Sequence, residues 1–130
     1  PLGQAAVRRA GSDITIVSWS KQALVCAAAC DTLAAQGIQA ELIDLRTIWP
    51  WDRDTVLASA AKTGKLLVVH EAIQAAGFGA EIAATAAEAT GCKISRLGAP
   101  RIPVGYAPVL EAQSRVTADA IVARVQQLLA

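Results

Sequence analysis

The chain has 130 residues, 54% of them hydrophobic and only 4% aromatic, which suits a single domain whose interior is filled by alanine and aliphatic side chains. Twelve Lys and Arg against eleven Asp and Glu leave a formal charge of +1, with no basic stripe to suggest a nucleic-acid partner. Mean hydropathy is high at +0.40, yet no apolar run approaches the roughly 18 residues of a membrane span, and the Pro1-Leu2-Gly3 opening has no secretory-signal pattern.

In chain order, residues 1–12 read as a linker and a short edge strand, Ala5 to Arg9, set off by Gly11 and Ser12. The domain proper then spans 13–130. Asp13 to Trp19 is a β-branched run of the buried kind, and Ser20 is placed to cap a helix over Lys21 to Gln36 that Gly37 ends. On that helix Val25, Ala29 and Leu33 share a face at i, i+4, i+8 spacing. Ile38 to Leu45 is the next strand. Asp52 caps a helix through Lys62, with Val56, Leu57, Ala60 and Ala61 as its apolar stripe and Gly64 as its stop. Leu66 to Val69 is apolar on both faces, as a central parallel strand must be, and ends on the only histidine, His70. A loop leads to Gly77-Phe78-Gly79 and a helix from Ala80 to Thr90, closed by Gly91. Lys93 to Leu97 is the fourth parallel strand. Pro100, Pro103 and Pro108 predict an extended loop to about Glu111. Thr117 caps a final helix with Asp119 in its first turn and Ile121, Val122, Val125, Leu128 and Leu129 on its buried stripe. Strands alternating with helices at this spacing give a doubly wound α/β sandwich.

Residues that could carry chemistry are few. Cys26 and Cys30 lie one helical turn apart, but a zinc site would need two further ligands, so the cysteines read as small buried hydrophobes and no metal site is expected. Free thiols point to the cytoplasm. Gly77 and Gly79 at a helix start invite an anion-binding reading, against the plainer one of a tight turn and close packing, because the third glycine of a dinucleotide fingerprint is replaced by Ile82. His70 and Glu71 sit where an α/β sheet places functional groups, at the C-terminal end of a central strand. Adjacent strand residues point to opposite faces, so they are not expected to act as a catalytic pair. His70 is expected to tie its loop to backbone or to a partner, titrating near 6.5.

Taken together, IDLRTIWPWD (Ile43 to Asp52), KTGKLLVVHEA (Lys62 to Ala72), GFGAEIA (Gly77 to Ala83) and GYAPVLEA (Gly105 to Ala112) resemble the C-terminal domain of the beta subunit of thiamine diphosphate-dependent 2-oxo acid dehydrogenases, within the transketolase C-terminal domain family. Two positions depart from the family pattern. Ser20 closes Ser18-Trp19-Ser20 where an aromatic followed by Gly is usual, and Arg101 stands where an acid is common.

The resemblance implies a three-layer α/β/α sandwich around a five-stranded, mostly parallel sheet, with an antiparallel N-terminal edge strand and strand order 1-3-2-4-5. It also implies a parent enzyme that decarboxylates a 2-oxo acid on thiamine diphosphate with magnesium and passes the acyl group to a lipoyl arm. That cofactor would lie in domains absent from this chain, so no catalytic or cofactor-binding residue is expected here. The partners it implies are those cofactor-binding domains, the alpha subunit, the lipoyl acyltransferase core and a second copy of the chain. His70, Glu71, Gly77, Phe78, Gly79, Tyr106 and Pro108 are the candidate structural or interface residues. The alternatives are a free-standing flavodoxin-like small-molecule domain and the equivalent domain of a transketolase or deoxyxylulose-phosphate synthase.

Overall fold

Five extended runs pair into one sheet in the computed structural model, which describes residues 1–130. They are β1 (Ala6–Arg9), β2 (Ile14–Ser18), β3 (Ala40–Asp44), β4 (Lys65–Ile73) and β5 (Lys93–Ala99), in the order β1-β3-β2-β4-β5. β1 runs antiparallel to β3, and the other pairs are parallel. This is the sandwich, with its antiparallel edge, that the resemblance implies. To pass from β1 to β2 the chain must cross the start of β3, and it does so at Gly11. A Cβ there would lie 2.4 Å from the carbonyl carbon of Ala40, so only glycine lets the two backbones approach this closely.

The helices are α1 (Lys21–Ala35), α2 (Arg53–Thr63), α3 (Phe78–Thr90), α4 (Pro108–Ala112) and α5 (Ala118–Leu129). The two-residue period of a strand sends alternate side chains to opposite faces, and each face is covered by a pair of helices. Ile14, Ile16, Leu42, Leu67 and Val69 pack under α1 and α5 with Leu33, Ile121 and Val125. Val17, Ile43, Leu66 and Val68 pack under α2 and α3 with Val56, Ala60 and Ile82. Each large aliphatic side chain so buried contributes about 1.5–3 kcal/mol relative to exposure.

Local chemistry sets the helix ends. Asp52 accepts from the Thr55 amide at 3.2 Å to start α2, and its other oxygen takes the Thr55 hydroxyl and the Ala5 amide, which fastens the N-terminal segment to this helix. Burial pushes the Asp52 pKa up, but the bonds from Ala5 and Thr55 outweigh it and hold the carboxyl below its ordinary range. Gly64 and Gly91 close α2 and α3 in the left-handed conformation, and Thr117 caps α5 through the Ala120 amide. At the end of α1 the amides of Gly37 and Ile38 return to the carbonyls of Ala34 and Leu33. On α5, Arg124 reaches back to the Arg96 carbonyl at 2.9 Å and the Ser95 hydroxyl at 2.7 Å.

Four expectations need correction. Ser20 makes no side-chain cap; it sits at φ 56, ψ −146, a region nearly confined to glycine. The α1 stripe that is buried is Ala23, Cys26, Ala29, Cys30 and Leu33 with Gln22, and Val25 lies at its margin; on α2 it is Val56, Ser59, Ala60 and Thr63, with Ala61 exposed. The central strand runs past His70 to Ile73, through an irregularity between Val69 and Ile73. Finally, Pro108 does not prevent helix but begins one, because the first helical position needs no N–H.

The Ser20 conformation gives a direct prediction, since the family pattern has glycine there. Ser20→Gly should raise stability by about 1 kcal/mol, the relief of strain (about 1–3 kcal/mol) less the entropic cost of glycine. A denaturant midpoint that stays put or falls in this variant would show that Ser20 is not strained.

Candidate functional site

The strand order reverses between β2 and β4, and the C-terminal ends of these two strands form the mouth where an α/β sheet places its function. Each of the loops after β2, β3 and β4 carries a non-glycine residue at positive φ: Ser20, Arg46 and Ala76. Backbone strain is therefore concentrated at this end of the molecule.

His70 is the centre of the mouth. Even-numbered residues of β4 face α2 and α3, so its ring enters that layer and is fully buried. Nδ1 lies 3.0 Å from the Ala72 carbonyl, which can only accept, so Nδ1 carries the proton and Nε2 presents a lone pair. Nε2 is buried with no hydrogen-bond partner. The ring lies 5.4 Å from Trp19 at a 30° tilt, and Trp19 meets Phe78 edge-on at 6.1 Å, as does Trp51. Three glycines make room for it. A Cβ on Gly77 would fall 2.6 Å from Cε1, one on Gly79 2.7 Å from Cδ2 and Nε2, and one on Gly98 2.8 Å from Cε1.

Electrostatics keep this imidazole neutral. Burial lowers its pKa, the bond to Ala72 opposes that, and the Arg96 charge adds to the lowering, so the net shift is downward from the ordinary 6.5 that the sequence suggested. The turn beyond it is pinned by Gln74, whose amide donates to the Ala99 carbonyl and whose own carbonyl accepts from Arg96. Across the mouth, the Ser18 hydroxyl donates to the Val69 carbonyl at 2.7 Å.

The candidate residues divide into three places. His70, Gly77, Phe78 and Gly79 come together. Glu71 points to the opposite face, where it lines a cleft of about 310 Å³ with Lys21, Gln22, Glu111 and Arg115. Tyr106 lies on the outer loop, wholly exposed, and Pro108 begins α4 beside it. Because His70 fills the space beside Gly77 and Gly79, the glycines accommodate a ring rather than a phosphate. The crevice at this mouth is filled by Trp19, His70 and Phe78, and no three His, Cys, Asp or Glu side chains gather anywhere in the chain. Sequence reading missed Trp19, Gln74, Arg96 and Gly98. Trp19, Arg96 and Gly98 reach the His70 turn from other strands, as Gln74 reaches β5 from within it, and only the position of Trp19 at a strand end hinted at one of them.

Comparison with known proteins bears on this arrangement. The family model described as transketolase, C-terminal domain, matches residues 3–121. The beta 2 subunit of mitochondrial 2-oxoisovalerate dehydrogenase from Arabidopsis thaliana is 52% identical over 88 residues, 68% of this chain and 25% of that one. The beta subunit of acetoin:2,6-dichlorophenolindophenol oxidoreductase from Bacillus subtilis is 36% identical over 133 residues, 99% of this chain and 39% of its own length. A mitochondrial pyruvate dehydrogenase beta subunit from Dictyostelium discoideum is 40% identical over 126 residues, 94% of this chain and 35% of its own. Among solved structures, a split-gene transketolase described as an inactive beta4 tetramer superposes with a TM-score of 0.91 at 27% identity, covering 99% of this chain and 43% of that one. The chain thus spans about a quarter to two fifths of the length of these relatives. It belongs to the transketolase C-terminal domain family and is the kind of domain that the beta subunits of 2-oxo acid dehydrogenases carry.

Proposed function

We propose that this chain is the C-terminal assembly domain of the beta subunit of a thiamine diphosphate-dependent 2-oxo acid dehydrogenase, and that it serves subunit association and docking to the acyltransferase core rather than chemistry. The observation that carries the reading is the apolar surface of the outer loop and α4. Ile102, Val104, Tyr106, Val109 and Leu110 all stand exposed on it, and an apolar surface of this kind belongs to an interface. The similar split-gene transketolase is described as an inactive beta4 tetramer, which favours contact with a second copy. Thiamine diphosphate and magnesium belong, in this reading, to the cofactor-binding domains of the parent enzyme. Three free cysteines suit a reducing compartment, for which we take the cytoplasm. The Cys26 thiol, raised by burial to about 12, is inert there.

Sedimentation of the chain should show self-association, and Tyr106→Asp with Leu110→Asp should weaken it at least tenfold, about 1.4 kcal/mol, without lowering the melting temperature, because both side chains are exposed. In the parent beta subunit the same pair should impair assembly and leave turnover per assembled site normal. A monomeric chain at high concentration, together with unimpaired assembly of the doubly substituted parent, would reject the reading.

A further inference from the structure

The buried environment of His70 has a feature that packing alone does not require. Nδ1 is committed to Ala72, while Nε2, with no partner, faces Gly77 and Gly79 at the start of α3. A lone pair is well placed there, against the positive end of the helix dipole. A second proton would reverse that: an imidazolium N–H would point into the start of α3 and find no acceptor, in a space that three glycines leave only just large enough for the ring.

The charges around the ring offer no relief. β5 brings Arg96, which also binds the Gln74 carbonyl. The end of β2 brings Ser18 and Trp19, neither of them charged. Glu71 is exposed on the other face of β4, and Glu81, in the first turn of α3, is exposed with Oε1 at the Thr85 hydroxyl.

We propose that His70 is an acid-released latch: its neutral ring, held by Ala72 and boxed by Gly77, Gly79 and Gly98, keeps the turn from Glu71 to Phe78 closed, and a proton on Nε2 opens it. The segment is the least regularly paired part of β4 and the turn that follows it. It spans the irregularity in β4, contains the strained Ala76 at φ 61, and beyond the single Ile73–Ala99 pairing is tied to its surroundings through His70 and Gln74. The sign follows from the lowered titration. The latch is closed above the ordinary imidazole pKa, begins to lose its contribution as pH falls past about 6.5, and is released once pH drops through the lower folded value.

His70 is the only histidine, so its imidazole signals in NMR are unambiguous and can be followed beside amide exchange in the same sample. Between pH 7.5 and 5, with exchange corrected for its intrinsic pH dependence, the amides of residues 71–79 should lose at least tenfold of their protection, while those of β2 and β3 keep theirs. At neutral pH the ring should show the Nδ1–H tautomer. His70→Asn, whose amide nitrogen can reproduce the Nδ1 bond to Ala72 but does not titrate, should make protection of the segment independent of pH over this range. Unchanged protection of 71–79 while the imidazole titrates would overturn the proposal, and so would an Nε2–H tautomer. Both readings come from the unsubstituted chain, so the test stands even if the variant folds poorly.

Discussion

Gly79→Ala is expected to destabilise the chain by about 3 kcal/mol, at the upper end of what overpacking a core costs. The new Cβ would lie 2.7 Å from Cδ2 and Nε2 of His70 and 3.3 Å from Cγ1 of Val68. Neither neighbour yields easily. The ring is fully buried and tied at Nδ1, and Val68 belongs to the central strand. The cost should therefore depend on His70 itself. Combined with His70→Ala, which removes the ring the methyl meets, Gly79→Ala should cost well under 1 kcal/mol, a coupling readable in a double-mutant cycle of denaturant unfolding. Additive effects would mean that the glycine serves the helix start alone.

The second large effect is expected at the opposite end of the sheet. Glu41, at the start of β3, is buried and accepts from the Ser59 hydroxyl at 2.5 Å, the Lys62 ammonium at 2.6 Å and the Gly11 amide at 3.3 Å. The Thr15 hydroxyl lies 2.7 Å from that of Ser59 and 2.8 Å from that of Thr63, so the hydroxyl protons can run head to tail toward the carboxylate. Burial pushes the Glu41 pKa up, but the bonds from Lys62, Ser59 and Gly11 outweigh it and hold it below the ordinary range. Its contribution is therefore complete above the ordinary carboxylate value of about 4.3 and is lost as pH falls through the lower folded one. Glu41→Ala should cost about 2–3 kcal/mol at pH 7, chiefly from the donors left without an acceptor, since Lys62 is half exposed and regains water. Stability measured from pH 6 to 3 should fall less steeply in Glu41→Gln than in the unsubstituted chain. Parallel curves would show that the carboxylate's charge contributes nothing.

Glu41 also shows where reading the sequence loses its grip. Its strand was legible, because β-branched and aliphatic runs between glycines and caps are local signals, as were Asp52, Thr117, Gly64 and Gly91 at helix ends. Its partners were not, since Ser59 and Lys62 lie on another element and looked like part of an ordinary helical surface. The same limit hid Gly98 and Arg96 from His70. Ser20 misled for a different reason: serine favours a helix N-cap, and nothing local announced the backbone angle that turns its side chain from that role. Pro108 was read as a breaker when its position made it a starter. The family resemblance supplied what composition could not, namely the antiparallel edge and the strand order.

The hold of Arg124 on the Arg96 carbonyl bears on what this sheet can join. In β5, the Lys93 amide bonds to Gly64 on the β4 side, so the alternating peptide groups of Ile94 and Arg96 face away from β4, along the free margin. An unguarded margin is a template for a strand from another molecule, the first step of amyloid-like stacking. Here the Arg96 acceptor is occupied and the Gly98 amide is turned to the Gln74 side chain. The other margin is a four-residue strand with a register break, and Arg8 and Arg9 on it are tied to Asp44 and Asp31. Both margins are thus partly guarded, which favours complexes formed through side-chain surfaces, and Arg124→Ala should shorten the lag before fibrils form under mild destabilisation.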